Sequence, residues 1–541
     1  MRGAMSPTLK KLFSVSLLAV AGVQHAAAEP DGWRDGDVLR LALPSPLNTV
    51  DPALHLHQPD KVTIEHVSEA LVALKADMTV GAGLAESFRV SSDGLQYTFV
   101  LRPNVTFHNG EKLTADTVEW VWENYYLKPE VEWHCLARFD ERADDRHDRT
   151  LGGNIKAIDA LDDRTVRFTL AEPSSAFLYR MADVSCPAVI FHPDSIGENG
   201  RVDNLIGTGP YKFDGVAENG VVTLKRFDGY QGLKGKRDGY SGARVAKVAR
   251  VELVPVKNER DAVSRFLAGE IDILGEISAA TYMGLKAEET PKLYSHAMTS
   301  WWALLLQTAD PVLDDVRVRK AIAHAIDAKR IADVVSNGRV AANPSVVPVF
   351  SAYTSKTHKE GWDYNPALAR KLLAEAGYNG EQVTLHASAD PYPEMMENAV
   401  LINSMLNAVG INATLEPMSW DSQLNAKYRK GAFQLSSFGY GGRDYPTFVY
   451  GKFLGPKSVK PIMQWESPDM EALVDSTLGQ RTVKELSATY AKIHTRMLAD
   501  VPMIPLFPFE LRGASAPTVK GFELWAHNRP RLWGVTKDAG K

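Results

Sequence analysis

An α/β fold is predicted for this chain. Short runs of alternating polarity recur along it, the first being Val38–Leu43. Between them lie segments with a single apolar stripe at helical spacing, as in Val318, Ile322, Ala325 and Ile326. Val383–Ala387, a helix through Met396 to Leu406, and Ile411–Leu415 then form a strand–helix–strand unit.

The elements follow in order. After the first strand come the turn Asp51-Pro52 and the polar stretch His55–Asp60. Phe88 and Val90 alternate on one strand and Tyr97, Phe99 and Leu101 on the next, around the turn Ser92-Asp93-Gly94. A second turn, His108-Asn109-Gly110, precedes a helix that opens at Thr114. Thr165–Leu170 and Val221–Lys225 are further strands, separated by the rigid turn Gly207–Tyr211. Asp314 or Asp315 caps the helix bearing Val318 and Ile322. Asn365-Pro366 starts the next helix with cap and first-turn proline in their favoured order, Leu368, Leu372 and Leu373 facing inward. Gly377 stands where a left-handed cap is wanted. Phe433–Phe438 gives one more strand.

Composition describes an ordinary folded protein of 541 residues, 45% hydrophobic and 23% charged, long enough for two or three domain-sized units. A net charge of −5 without long single-sign runs disfavours nucleic-acid and anionic-membrane partners. Arg2, Lys10 and Lys11, the apolar run Leu12–Val23 and the small residues Ala26–Ala28 form the anatomy of a secretory signal peptide over residues 1–28. The apolar run is well short of the ~20 residues a spanning helix needs. The mature chain is therefore expected in the periplasm. Cys135 and Cys186 are the two cysteines; one disulfide or two buried thiols both fit, and an oxidising compartment favours the bridge.

The stretch Leu84–Gly110 closely resembles the signature of the bacterial family 5 extracellular solute-binding proteins, the peptide- and nickel-type binding components of ABC importers. Gly207–Tyr211, Val316–Asp327, Tyr364–Tyr378, Val409–Glu416 and Val501–Phe507 resemble further elements of that family, in the family's order. The resemblance implies a periplasmic-binding-protein fold of two discontinuous lobes joined by a hinge, with an extra inserted subdomain. It places the first lobe at 29–60, 200–297 and 505–541, the inserted subdomain at 61–199 and the second lobe at 298–504. The crossings near Ser300 and Val501 would be hinge strands, and closure would bury the ligand. The implied function is capture of a small solute, foremost a short peptide, by a monomer that delivers it to an inner-membrane permease. Opines or other amino-acid conjugates, oligosaccharides and nickel chelates are the alternative solutes.

Ligands of open α/β sheets sit beyond the carboxyl ends of strands. The strand ending at Phe438 runs into Gly439–Pro446, a loop with glycines and a proline. Peptide binders of the family place an aspartate in the matching loop, against the peptide's α-ammonium, and Asp444 matches it; alternatively Asp444 organises an Asp-Tyr-Pro turn. Arg443 either neutralises Asp444 or holds a ligand carboxylate. Trp302, rather than its neighbour Trp301, is the expected cleft aromatic, with Trp420 a weaker candidate. Tyr440 and Tyr445 flank the loop, as ligand contacts or as its packing.

His55, in a segment where the family lines its pocket, is a further cleft candidate. With His57 and His66 it suggests a metal site, but no carboxylate or thiolate stands at a defined spacing, so no metal or cofactor is assigned. Arg138 precedes the charge-rich stretch 140–149, which reads as solvated surface. The chain carries no Gly-x-Ser-x-Gly elbow, His-Glu-x-x-His pair or phosphate loop, so it is not expected to be an enzyme. A periplasmic hydrolase and a sensory or chaperone protein remain as readings of another class.

Overall fold

The computed structural model describes residues 35–54, 56–136, 139, 154–288 and 290–539. The expected signal peptide, His55, Arg138 and residues 140–149 lie outside them.

The strands that carry the architecture are, in chain order, β1 (Val38–Leu43), β2 (Ala85–Val90), β3 (Gln96–Leu101), β4 (Ile155–Asp162), β5 (Thr165–Leu170), β6 (Tyr211–Val216), β7 (Val222–Arg226), β8 (Arg250–Pro255), β9 (Ile273–Leu274), β10 (Lys292–Leu306), β11 (Val383–Ala387), β12 (Ala413–Pro417), β13 (Leu435–Tyr440) and β14 (Met503–Ser515). Ten of them form one sheet in the order β6-β7-β8-β1-β9-β14-β10-β13-β11-β12. β2, β3, β5 and β4 make a separate antiparallel sheet. The hairpin read around Ser92–Gly94 is β2–β3, paired Phe88 to Phe99 and Val90 to Tyr97.

β10 and β14 join the two halves of the large sheet. They pair antiparallel from Lys292–Ser515 to Leu305–Met503, and the ladder breaks between Ala297 and Trp301. On one side β1 runs parallel to β8 and β9; on the other β11 runs parallel to β12 and β13. Each half has its own apolar core, one holding Leu39, Leu41, Tyr211 and Trp533, another Leu304, Ile322, Leu385 and Ile402. Alternation along β10 explains a third. Trp302, Leu304 and Leu306 enter the second core, while Trp301, Ala303 and Leu305 enter a tyrosine-rich layer on the opposite face. The result is a mixed α/β, two-lobe fold with both faces of the central sheet covered.

Local chemistry sets the helices: Thr114 caps α2 (Ala115–Val121), its hydroxyl accepting from the Thr117 N–H. Asp315, not Asp314, caps α3 (Val316–Ala325), its carboxylate accepting from the Arg317 N–H at 2.7 Å. Asn365 caps α4 (Pro366–Ala376), and Gly377 closes it at φ 75°. Ala369 and Leu373 are the buried residues of α4, while Leu368 and Leu372 are only half-buried. The helix expected from Met396 begins earlier, at Pro393, as α5 (Pro393–Ala408).

The C-terminal segment is tied to the first helix, α1 (Gln58–Val67). Arg529 donates to Glu65 Oε1 at 2.6 Å, and the phenol of Tyr240 donates to Glu65 Oε2 at 2.6 Å. The neighbouring His66 is buried: its Nδ1 donates to the Val62 carbonyl at 2.6 Å and its Nε2 accepts from the Leu532 N–H at 3.0 Å. Those partners fix a neutral ring, and burial pushes its pKa down to about 4. Cys135 and Cys186 form the disulfide, with Cα atoms 6.1 Å apart.

Candidate functional site

A cavity of about 1030 Å³ opens between the halves of the large sheet. Glu276–Ala280, directly after β9, form one wall, and Pro391–Leu401, after β11, form the other. It thus lies beyond the carboxyl ends of strands from both halves, the place an open α/β sheet offers a ligand. Trp302 of β10 and Phe507 and Phe509 of β14 make its back. Trp302 is stacked on Phe509 with ring centroids 3.9 Å apart, and Tyr392 meets the Trp302 ring edge-on at 6.0 Å.

The cavity wall is rich in carboxylates. Glu259, Glu276, Glu394, Glu397 and Glu510 line it, with Arg512 as the cation. Glu510 is committed to structure, accepting from Arg339 at 2.6 Å and Arg512 at 2.8 Å. Partial burial and the nearby Glu394 raise the Glu397 pKa. The Tyr392 phenol is pushed up by burial and then by Glu276 and Glu394, so carboxylates from both walls act on one ring.

β13 ends at Tyr440, two residues later than the sequence suggests, because its ladder with β10 continues to the pair Trp301–Tyr440. The shaped loop therefore begins at Gly441. Its backbone packs tightly on β10: the Gly442 N–H donates to Ser300 Oγ at 2.9 Å, and a Cβ at Gly442 would collide with the Thr299 side chain. Arg443 turns back on its own loop, donating to the Gly442 carbonyl at 2.8 Å, and is half-buried. It does not neutralise Asp444. That partner is His527, whose Nε2 stands 2.8 Å from Asp444 Oδ1, although the angle is not that of a hydrogen bond. Next to His527, the Asn528 amide donates to Glu276 and accepts from Gln58 Nε2, linking the pair to the cavity wall.

The other candidates are dispersed. Trp302 lines the cavity, whereas Trp301 stacks on Tyr440 at 5.1 Å in the tyrosine-rich core. Tyr440 spends its hydroxyl on Gln464 at 2.9 Å. Tyr445 is fully buried, stacked on Tyr179 at 4.1 Å and bonded to Ser175 at 2.8 Å. Trp420 is half-buried against Phe438, away from the cavity lining. His57 caps α1 reciprocally with Asp60, and His66 is the core histidine described above, so neither faces a metal position.

Residues 79–458 match the profile of the bacterial extracellular solute-binding proteins, family 5. The chain belongs to that family. A glutathione-binding protein, GsiB, of Pectobacterium atrosepticum is 25% identical over 93% of this chain and 95% of its own length. A di/tripeptide-binding protein of Pseudomonas aeruginosa is 30% identical over 85% of this chain and 87% of its own. The solved structure of HbpA2 from Haemophilus parasuis shares the fold, with a TM-score of 0.77 at 22% identity over 93% of this chain and 100% of that one. Family 5 proteins are extracytoplasmic ligand binders, and this chain is a solute-binding protein of that kind. Among the described residues no helix is long and apolar enough to cross a membrane.

Family membership leaves the cleft of this chain to its own residues. Sequence reasoning missed Glu276, Tyr392, Glu397 and Phe509 on the lining, and His527 beside Asp444. Each is ordinary in its local context and acquires its position only when β9, α5, β14 and the C-terminal segment converge. The one local signal was the alternation through β14, which places Phe507 and Phe509 on the same face as Trp302.

Proposed function

We propose that the protein captures a short peptide in the interlobe cavity and delivers it, in the periplasm, to the permease of an ABC importer. The carrying observation is the cavity itself: about 1030 Å³ between two lobes, with carboxylates from both walls and an aromatic back. That matches the upper end of the ~300–1,000 Å³ usual for small-molecule sites and suits a ligand of a few residues. Relatives named for glutathione, itself a tripeptide, and for di- and tripeptides support the class. Asp444 stands off the cavity lining; on closure of the lobes it takes the ligand's amine in a charge-assisted hydrogen bond, and Trp302 contacts the ligand's side chains.

The lobe boundaries are placed where the family resemblance puts them, at 297/298 and 504/505. Both boundaries fall inside the long paired strands, and the first coincides with the break in their ladder. Closure is a rotation about that break. Native mass spectrometry of protein purified from periplasm, followed by denaturation, tests the reading. Released di- or tripeptides of mixed sequence support it, and one defined sugar, opine or chelate overturns it.

A further inference from the structure

The interlobe cavity carries more negative charge than its own cations balance. Of the five carboxylates on its lining, only Glu510 and Glu394 stand beside an arginine. Glu510 takes Arg339 and Arg512, and Glu394, in the first turn of α5, is 3.8 Å from Arg512. Glu259 begins its own helix, Glu259–Leu267, and accepts the Ser278 N–H at 2.5 Å. Glu276 has a neutral partner, the Asn528 amide. Glu397 has neither a hydrogen bond nor an ion pair among the described residues. Among those residues no lysine lines the cavity, and its arginine, Arg512, is already shared between Glu510 and Glu394.

Three large apolar side chains of the same lining, Val334, Tyr392 and Val400, are each about half exposed. Val400 lies one turn after Glu397 on α5, so the two share a face of that helix. Tyr392 stands just before α5, and its raised phenol pKa registers Glu276 from one wall and Glu394 from the other. Apolar surface leading to a carboxylate without a cation fits a side chain with an alkyl stem and a charged head. The open Tyr392 ring offers that head an electron-rich face as well.

We propose that the cavity selects peptides bearing a cationic side chain, lysine or arginine, with Glu276 and Glu397 receiving the charged head and Val334, Tyr392 and Val400 the stem. The inference rests on the reading of the cavity as a peptide site and names the class of peptide. Glu276 and Glu397 stand on opposite walls, so one cation between them draws the lobes together as they close. An acidic side chain meets like charge on both walls and finds no uncommitted cation. Glutathione, with two carboxylates and one ammonium, is therefore a poor ligand here, whatever relatives of this chain bind.

Calorimetry at neutral pH tests this with three tripeptides, carrying lysine, norleucine or glutamate between two alanines. Norleucine keeps the stem of lysine and removes its charge. Wild type should bind the lysine peptide about tenfold or more tighter than the norleucine peptide, and the glutamate peptide and glutathione most weakly of all. Glu276→Gln with Glu397→Gln, checked for an unchanged melting curve, should cut the lysine-to-norleucine ratio several-fold. Equal binding of lysine and norleucine peptides by wild type overturns the inference and leaves the peptide reading standing. A ratio that survives unchanged in the double variant overturns the assignment to these two carboxylates. If wild type binds none of the tripeptides, the peptide reading falls. Selection of cations then stands if spermidine binds and the double variant weakens it, and falls if spermidine does not bind or binds both proteins equally.

Discussion

His527 and Asp444 meet 2.8 Å apart across two separately packed cores, at the level where the ladder between β10 and β14 is broken. A contact at that crossing contributes to whichever arrangement of the lobes keeps it intact. Blocking the amine of a bound peptide by acetylation should weaken binding to the wild type more than tenfold. The same modification should have little effect in Asp444→Asn, because the variant has no carboxylate for the amine to pair with. Calorimetry on the two proteins completes the cycle, and equal losses in both would remove Asp444 from the amine site.

Trp302 supports the cavity as well as lining it, since its ring is 3% exposed and stacked on Phe509. Trp302→Ala should lower stability by about 3–5 kcal/mol. Trp302→Phe should restore most of that while leaving the cavity larger. Denaturant melts of the two variants distinguish support from ligand contact alone.

Glu65 holds the C-terminal segment through Arg529 and the stretch leading into β8 through Tyr240. Arg529 is about nine-tenths buried; that burial opposes its charge, and Glu65, foremost of its partners, nevertheless holds its pKa above the ordinary arginine value. Glu65→Ala strands that guanidinium without its carboxylate and should cost about 3–5 kcal/mol. Limited proteolysis should then cut the C-terminal segment first.

Acid should destabilise the fold through its neutral histidines. Burial holds His66, His108 and His358 each at about 4, below the ordinary value of 6.5. The unfolded chain therefore takes up these protons first as pH falls. Their contribution is complete above about 6.5 and is lost progressively as pH drops toward about 4. Melting temperatures measured across that interval should decline steadily, and His66 should show no NMR titration above about pH 5.

The Cys135–Cys186 bridge closes a loop of 51 residues. The chain-entropy account assigns such a bridge about 4 kcal/mol. Cys135→Ser with Cys186→Ser should lower the melting temperature without altering ligand affinity, since neither cysteine lines the cavity.

The parts of this fold legible in the sequence were those specified locally. Asn365, Pro366 and Gly377 mark both ends of α4 because a cap needs only its own turn. The Phe88–Val90 and Tyr97–Leu101 hairpin was legible for the same reason. The end of β13 was not, since pairing with Trp301 of a distant strand extends it to Tyr440 and so draws that tyrosine out of the loop. The site divides in the same way. Glycines and a proline announce the Asp444 loop, whereas nothing around His527 announces a partner for it. The disulfide lay between these cases: two cysteines leave one possible intramolecular bridge, and the fold brings them within reach.

The order of strands across the large sheet also governs how the molecule is made. β14, the last strand, lies between β9 and β10. The segment from α3 to the end of α6 (Val483–Asp500) is one uninterrupted stretch and holds most of the second core. The first lobe, although it begins the chain, has a gap in its sheet until Met503–Ser515 has emerged. Synthesis from the amino terminus therefore leaves the leading half waiting for the trailing strand. The lobe that starts first is thereby the one that finishes last.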